Sequence, residues 1–152
     1  MPSKERETAD ALVAAFNAQD PKAIVALRTP DCLRVFLPPS LGFKPQTNDG
    51  YLANLTKMNS IFTSFRVTIN DVVEGVSTSP SGIVKKKIVM YISARGNTPV
   101  GEYRNEYVWK MGFDESGEKI SEWSEYVDVG MVRDFYPKLQ VAIARMGTNE
   151  KD

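Results

Sequence analysis

The stretch Gly101–Gly130 constrains the fold more than any other. It reads GEYRNEYVWKMGF, then DESG, then EKISEWSEYVDVG. Two alternating apolar–polar runs around a turn signal specify a β-hairpin. Asp114 at the first turn position and Gly117 at the fourth suit a type I turn closed by a left-handed glycine bulge. In that register Asp114 faces Glu118, Arg104 faces Asp128 and Lys110 faces Glu122. The last two are opposite-charge pairs, each worth roughly 0.2–1 kcal/mol. They share one face with Glu106, Val108, Ser124 and Tyr126. The other face carries Tyr103, Asn105, Tyr107, Trp109 and Met111, opposite Trp123, Glu125, Val127 and Val129. A two-residue loop slips the pairing, moves Trp123 outward and brings Glu122 and Asp128 onto the aromatic side. Charge pairing favours the bulged form, which leaves Glu125 as a carboxylate among aromatic residues, directly opposite Tyr107.

A carboxylate in that position has two readings. One is a structural Glu satisfied by a tyrosine hydroxyl and an arginine. The other is an acid/base group whose poor solvation raises its pKa toward the range useful for proton transfer. Composition narrows the chemistry further. The chain has no histidine and one cysteine, Cys32. Ser-His and Cys-His nucleophile systems, His-ligated zinc and internal disulfides are therefore excluded. Carboxylates, tyrosines, lysines and arginines remain, and neither a metal nor an organic cofactor is expected. Cys32 reads as a small buried apolar group. The 19 basic residues balance the 19 acidic ones, which argues against nucleic acid or an anionic membrane as the main partner. No apolar run is long enough to span a bilayer, and MPSKERETAD lacks a signal-peptide apolar stretch. A cytoplasmic location is the resulting expectation.

The remaining segments read in order as one domain over residues 1–152. A helix over 5–18 is capped by Ser3 or Thr8, and a second follows Asp20 with Pro21 at its first position. Thr29-Pro30 ends it. Cys32–Leu37 is a short strand and Pro38–Thr47 an irregular loop. Asn48 or Asp49 caps a third helix reaching about Phe65, with Tyr51, Leu55, Met58 and Ile61 on one side. Tyr51, at the helix mouth, has a hydroxyl placed to reach a ligand. Val67, Ile69 and Val72 mark a strand, and Ile83–Arg95 another, with Asn97-Thr98-Pro99 turning into the hairpin. If Tyr91 lies beside Tyr107, then Ser93 and Arg95 share the face of Asn105 and Tyr103. A last helix covers 131–145, followed by a polar, frayed tail over 147–152. Helices gathered on one face of a twisted antiparallel sheet give an α+β cone whose hollow suits a small apolar molecule.

The helix–helix–strand–helix–sheet order resembles the SnoaL-like branch of the NTF2-like superfamily, with Trp123, Glu125, Tyr126, Val127 and Asp128 on the final strand. LRTPDCLRVFLPPSLG (27–42), NTPVGEYRNEY (97–107) and EWSEYVD (122–128) are similar to small fungal isomerases and cyclases of meroterpenoid and polyketide pathways. The resemblance implies an NTF2-like cone in which a curved sheet and three to four helices enclose a pocket. It also implies a homodimer formed through the sheet. In related epoxide hydrolases and polyketide cyclases, the acidic residue two after the tryptophan is the acid/base, here Glu125. Arg95 corresponds to an arginine of the epoxide hydrolases, whose second Asp has no counterpart. Arg34 and Tyr91 stand where the fungal isomerases carry histidines. The expected catalytic set is Glu125, Tyr107 and Arg95. Tyr51, Tyr91, Asn105, Trp123, Trp109, Arg34 and Met58 are expected to bind substrate. A cofactor-free isomerase or cyclase is one reading; a non-catalytic binding or dimerisation module, or an epoxide-hydrolase or dehydratase activity, is the other.

Overall fold

The computed structural model describes residues 2–149. Helix α1 (Lys4–Asn17) starts at Ser3, whose hydroxyl accepts from the Arg6 amide at 3.0 Å. The alternative cap, Thr8, instead donates to the carbonyls of Lys4 and Gly117, tying α1 to the hairpin tip. Helix α2 (Pro21–Ala26) is capped by Asp20, which accepts from the Ala23 amide at 3.1 Å. Strand β1 (Arg34–Leu37) is shorter than expected. Helix α3 (Asn48–Ile61) is capped by Thr47 rather than Asn48 or Asp49 and stops before Phe65. Strands β2 (Ser64–Thr78), β3 (Val84–Thr98), β4 (Gly101–Phe113) and β5 (Ile120–Val127) follow. Helix α4 (Val129–Asn149) closes the described chain. It runs past the expected end at 145, and the rest of the expected tail, 150–152, lies outside the described residues.

The five strands form one sheet in the order β1-β5-β4-β3-β2, with β1 parallel to β5 and all other pairs antiparallel. Helices cover the concave side. Leu12 and Phe16 of α1, Ile88, Met90 and Ile92 of β3, Trp109 and Met111 of β4 and Trp123 of β5 form the core between them. Extra residues at Asn70 in β2 and Ser121 in β5 break the register. Such bulges bend a sheet and increase its twist.

The hairpin register differs from the expected one. Asp114 bonds Lys119, not Glu118, and Gly117 takes the left-handed conformation at φ 74°. That pairing alone turns Glu125 outward. The bulge at Ser121 then restores the alternation, so that Trp109 faces Glu125, Met111 faces Trp123 and Tyr107 faces Val127. The faces beyond the bulge are as expected, but every pair there is displaced by two. Neither expected charge pair forms, because each acid has a nearer use. The Asp128 carboxylate accepts the Met131 amide at the start of α4, and Arg104 pairs with Glu102 on its own strand. Glu122 reaches Lys87 across Gly112, where an added Cβ lies 2.6 Å from the Glu122 side chain.

A second correction concerns β3. The turn to β4 is Pro99-Val100, with Thr98 facing Gly101, one residue later than expected. Tyr91 therefore faces Val108 rather than Tyr107, and a slip of one residue exchanges the faces. Tyr91, Ser93 and Arg95 lie on the outer face, where Tyr91 and Arg95 are exposed. Arg95 does not share the face of Asn105 and Tyr103.

Gly96 sits where β3 meets the end of α3. A Cβ there comes within 2.6 Å of the Ser64 carbonyl oxygen and 2.7 Å of the Phe62 ring. The carbonyl is backbone and has no rotamer by which to give way. Gly96→Ala is expected to destabilise the fold by about 1–3 kcal/mol, read as a lowered urea midpoint with an unchanged slope.

Candidate active site

The sheet edge and α3 build the polar end of the hollow. Arg34 is held on β1 by a pair of backbone bonds to Gln46, 3.0 and 2.9 Å, and opposite Trp123 on β5. Its side chain donates to Gln46 Oε1 at 3.0 Å and to Glu125 Oε1 in a short buried ion pair. The guanidinium lies 4.4 Å from the ring centres of Tyr51 and Phe36. Such contacts contribute more when desolvated than at a surface. Glu125 is 0% exposed and its Oε2 has no protein partner. The Tyr51 hydroxyl is likewise buried and without a partner.

A second group of hydroxyls stands farther along the concave face. Tyr103 and Tyr107, four residues apart on β4, share a hydrogen bond, and the Tyr136 hydroxyl of α4 lies 3.5 Å from that of Tyr103. Asn105 Nδ2 donates to the Tyr103 hydroxyl at 3.1 Å. Its Oδ1 accepts the amides of Glu106 and Asp128, so Asn105 orients Tyr103 and anchors the end of β5.

Electrostatics assign these groups as donors. Burial raises the pKa of Tyr51, Tyr103, Tyr107 and Tyr136 above the ordinary tyrosine value; for Tyr51 the Arg34 charge offsets part of the rise. All four remain protonated at neutral pH. Burial works against the Arg34 charge, but the adjacent Glu125 carboxylate together with Tyr51 and Tyr136 outweighs it and holds the guanidinium above its usual range. The site therefore presents several O–H and N–H donors and a single carboxylate.

Between these groups lies a cavity of about 100 Å³, whose wall includes Arg34, Tyr51, Met58, Tyr103, Tyr107 and Tyr136. Of the expected site residues, Arg34, Tyr51, Met58 and Tyr107 meet there. Glu125, Trp109, Trp123 and Asn105 lie behind the wall. Glu125 faces inward as expected, yet the side chain lining the cavity in front of it is Arg34. Trp109 and Trp123 pack edge to face at 5.2 Å, and the Arg34 guanidinium lies 5.3 Å from the Trp123 ring centre. Tyr91 and Arg95 are on the other side of the sheet, so neither reaches the cavity.

Gln46, Tyr103 and Tyr136 complete the site. Tyr103 already stood on the aromatic face in the sequence pattern. Tyr136 was discernible from the helical spacing Val132, Tyr136, Leu139 and Ile143, which is the stripe α4 turns inward. Gln46 lies in an irregular loop and left no periodic signal. Among the described residues no group of three or more His, Cys, Asp or Glu side chains is arranged to hold a metal ion.

No family model matches the chain. Among curated proteins, Monooxygenase AacuP from Aspergillus aculeatus is 30% identical over 136 residues, covering 90% of this chain and 89% of that protein. Austinoid biosynthesis clusters protein H from Penicillium brasilianum is 28% identical over 122 residues, 80% of each chain. Among solved structures, BvnE pinacolase from Penicillium brevicompactum superposes with a TM-score of 0.77 at 24% identity, covering 93% of this chain and 96% of that one. A Shewanella denitrificans protein described as SnoaL-like gives a TM-score of 0.69 at 14% identity, with coverages of 90% and 99%.

Proposed function

Because the chain belongs to the SnoaL-like branch of the NTF2-like superfamily, we propose that it is a cofactor-independent isomerase or cyclase. Its substrate is a bulky polyketide or meroterpenoid intermediate of secondary-metabolite biosynthesis. One observation carries the reading: protonated donors from β1, α3 and β4 converge on an apolar cavity backed by one buried carboxylate with a free oxygen.

In this mechanism a substrate carbonyl or alkoxide oxygen accepts hydrogen bonds from Arg34 and from Tyr51 or Tyr107. These donors stabilise negative charge as it develops in a water-poor site. Glu125, through Oε2, removes a proton from substrate carbon or hydroxyl and returns one at the rearranged position. No atom is gained or lost. Arg34 replaces Arg95 as the cation of the site, since Arg95 is on the wrong face. The cavity is smaller than the roughly 300–1,000 Å³ of drug-sized ligand sites. Binding of a polycyclic substrate thus requires α3 and α4 to part, and the same opening brings substrate against the Arg34–Glu125 pair.

The outer face, where Tyr91 is 45% exposed and Tyr126 53%, is the surface through which we expect two copies to associate. No helix among the described residues is long and apolar enough to cross a membrane, and a cytoplasmic location accords with this reading.

The relationship to a protein named a monooxygenase favours a second reading, in which one oxygen atom is added. Mass spectrometry of products formed from pathway intermediates under heavy-oxygen-labelled dioxygen, and separately in labelled water, decides between them. The proposal expects a product of unchanged composition with no label from either source. Label from dioxygen establishes oxygenation, and label from water establishes hydrolysis. Tight binding without turnover establishes a binding module.

A further inference from the structure

The interior behind the cavity holds more positive than negative charge. Arg28, on the turn after α2, is 4% exposed. Its Nη2 donates to the carbonyls of Cys32 and Gln46 at 2.9 and 3.0 Å. Its Nε and Nη1 have no protein partner. Carbonyl dipoles solvate a guanidinium but do not neutralise it. Among the described residues Arg28 forms no ion pair, and the one buried carboxylate nearby, Glu125, is engaged by Arg34. Both guanidiniums lie against the same ring: the Tyr51 centroid is 5.0 Å from Arg28 and 4.4 Å from Arg34. Two buried cations and one buried anion leave a single positive charge uncompensated around Tyr51.

Most of the buried unpartnered side-chain atoms among the described residues are donors, with Asn48 Oδ1 and Glu125 Oε2 the acceptors. Arg28 Nε and Nη1, Arg34 Nε and the Tyr51 hydroxyl are donors without acceptors. Arg34 and Tyr51 are more than nine-tenths buried, and both line the cavity. An uncompensated buried charge is costly even after the surroundings relax. A ligand carrying the opposite charge removes that cost on binding, and a neutral ligand does not.

Resting on the proposed function, we propose that the substrate is an apolar acid. It seats an ionised oxygen, whether of a carboxylate, an enolate or a phenolate, against Arg34 and Tyr51. Arg28 supplies the balancing charge from behind the Tyr51 ring. The cavity thereby selects the ionised form of its ligand and orients the skeleton before proton transfer begins.

Benzoate and benzamide, of nearly the same shape and differing in charge, test this directly. Binding is followed by the fluorescence of Trp109 and Trp123 and by thermal shift. Benzoate is expected to bind at least about tenfold more tightly than benzamide. Glu125→Gln, which removes the one buried carboxylate among the described residues, is expected to tighten benzoate further and leave benzamide unchanged. Arg28→Met is expected to abolish the preference and Arg28→Lys to retain it; if Arg28→Met does not fold, the Lys and Gln variants still decide. Equal affinities, a preference for the amide, no binding of either at millimolar concentration, or weaker benzoate binding by Glu125→Gln overturns the proposal. Loss of turnover in Glu125→Gln with equal benzoate and benzamide affinities removes the anionic substrate and leaves the catalytic reading standing. The converse pattern removes Glu125 from the chemistry and keeps the anion site.

Discussion

Glu125→Gln is expected to lower turnover of the true substrate by roughly 10²–10⁴-fold, the range associated with a positioned acid/base group, with the fold intact. The amide keeps the shape of the carboxylate and still accepts from Arg34 through its carbonyl oxygen. It has no basic oxygen with which to take a proton. Native-like circular dichroism and a cooperative, though lowered, thermal transition, together with a lost rate, separate chemistry from folding. Unchanged turnover in a folded variant removes Glu125 from the mechanism. Because the cavity wall in front of Glu125 is Arg34, the result also reports whether substrate reaches the carboxylate at all.

Breaking the Arg34–Glu125 pair from one side is expected to cost far more than removing both partners. Glu125→Leu leaves Arg34 charged, 8% exposed and without its carboxylate, a situation that typically costs about 3–5 kcal/mol. At about 2–4 °C per kcal/mol for a domain near this size, the fall in Tm is on the order of 10 °C. The double variant Arg34→Met, Glu125→Leu substitutes apolar side chains of similar volume and is expected to recover most of that loss. Denaturant titration of the two single variants and the double gives the coupling energy. Additive losses contradict a buried, mutually dependent pair. The pair's conservation of shape under substitution also matters for function: the double variant is expected to be stable and inactive, because it lacks both the donor and the acceptor.

The two corrections in the sheet share one cause. Alternation along a strand fixes which residues share a face but not which face meets which on the neighbouring strand; turns and bulges decide that. For β5 the turn ran one residue longer than expected and Ser121 shifted the pairing by one more, so Glu125 stayed inward although its partner changed from Tyr107 to Trp109. For β3 the turn came one residue late and nothing compensated, so Tyr91 and Arg95 moved to the outer face. Charge pairing was a poor guide because Asp128 and Glu122 had competing local uses, as a helix cap and as the partner of Lys87.

The sequence alone determined the element order, the hairpin, the helix cap at Asp20 and the inward aromatic stripe of β4. These follow from periodicity and local hydrogen bonding, which act over a few residues. Only the tertiary structure decided that Arg34 rather than Arg95 lines the cavity, that Tyr136 lines it and Gln46 bonds Arg34, and that among the described residues Arg28 stands beside Tyr51 without an ion-pair partner. Each of those depends on segments far apart in the chain meeting across the sheet or over its concave face. The energy of a buried charge is set by such neighbours, not by its place in the sequence.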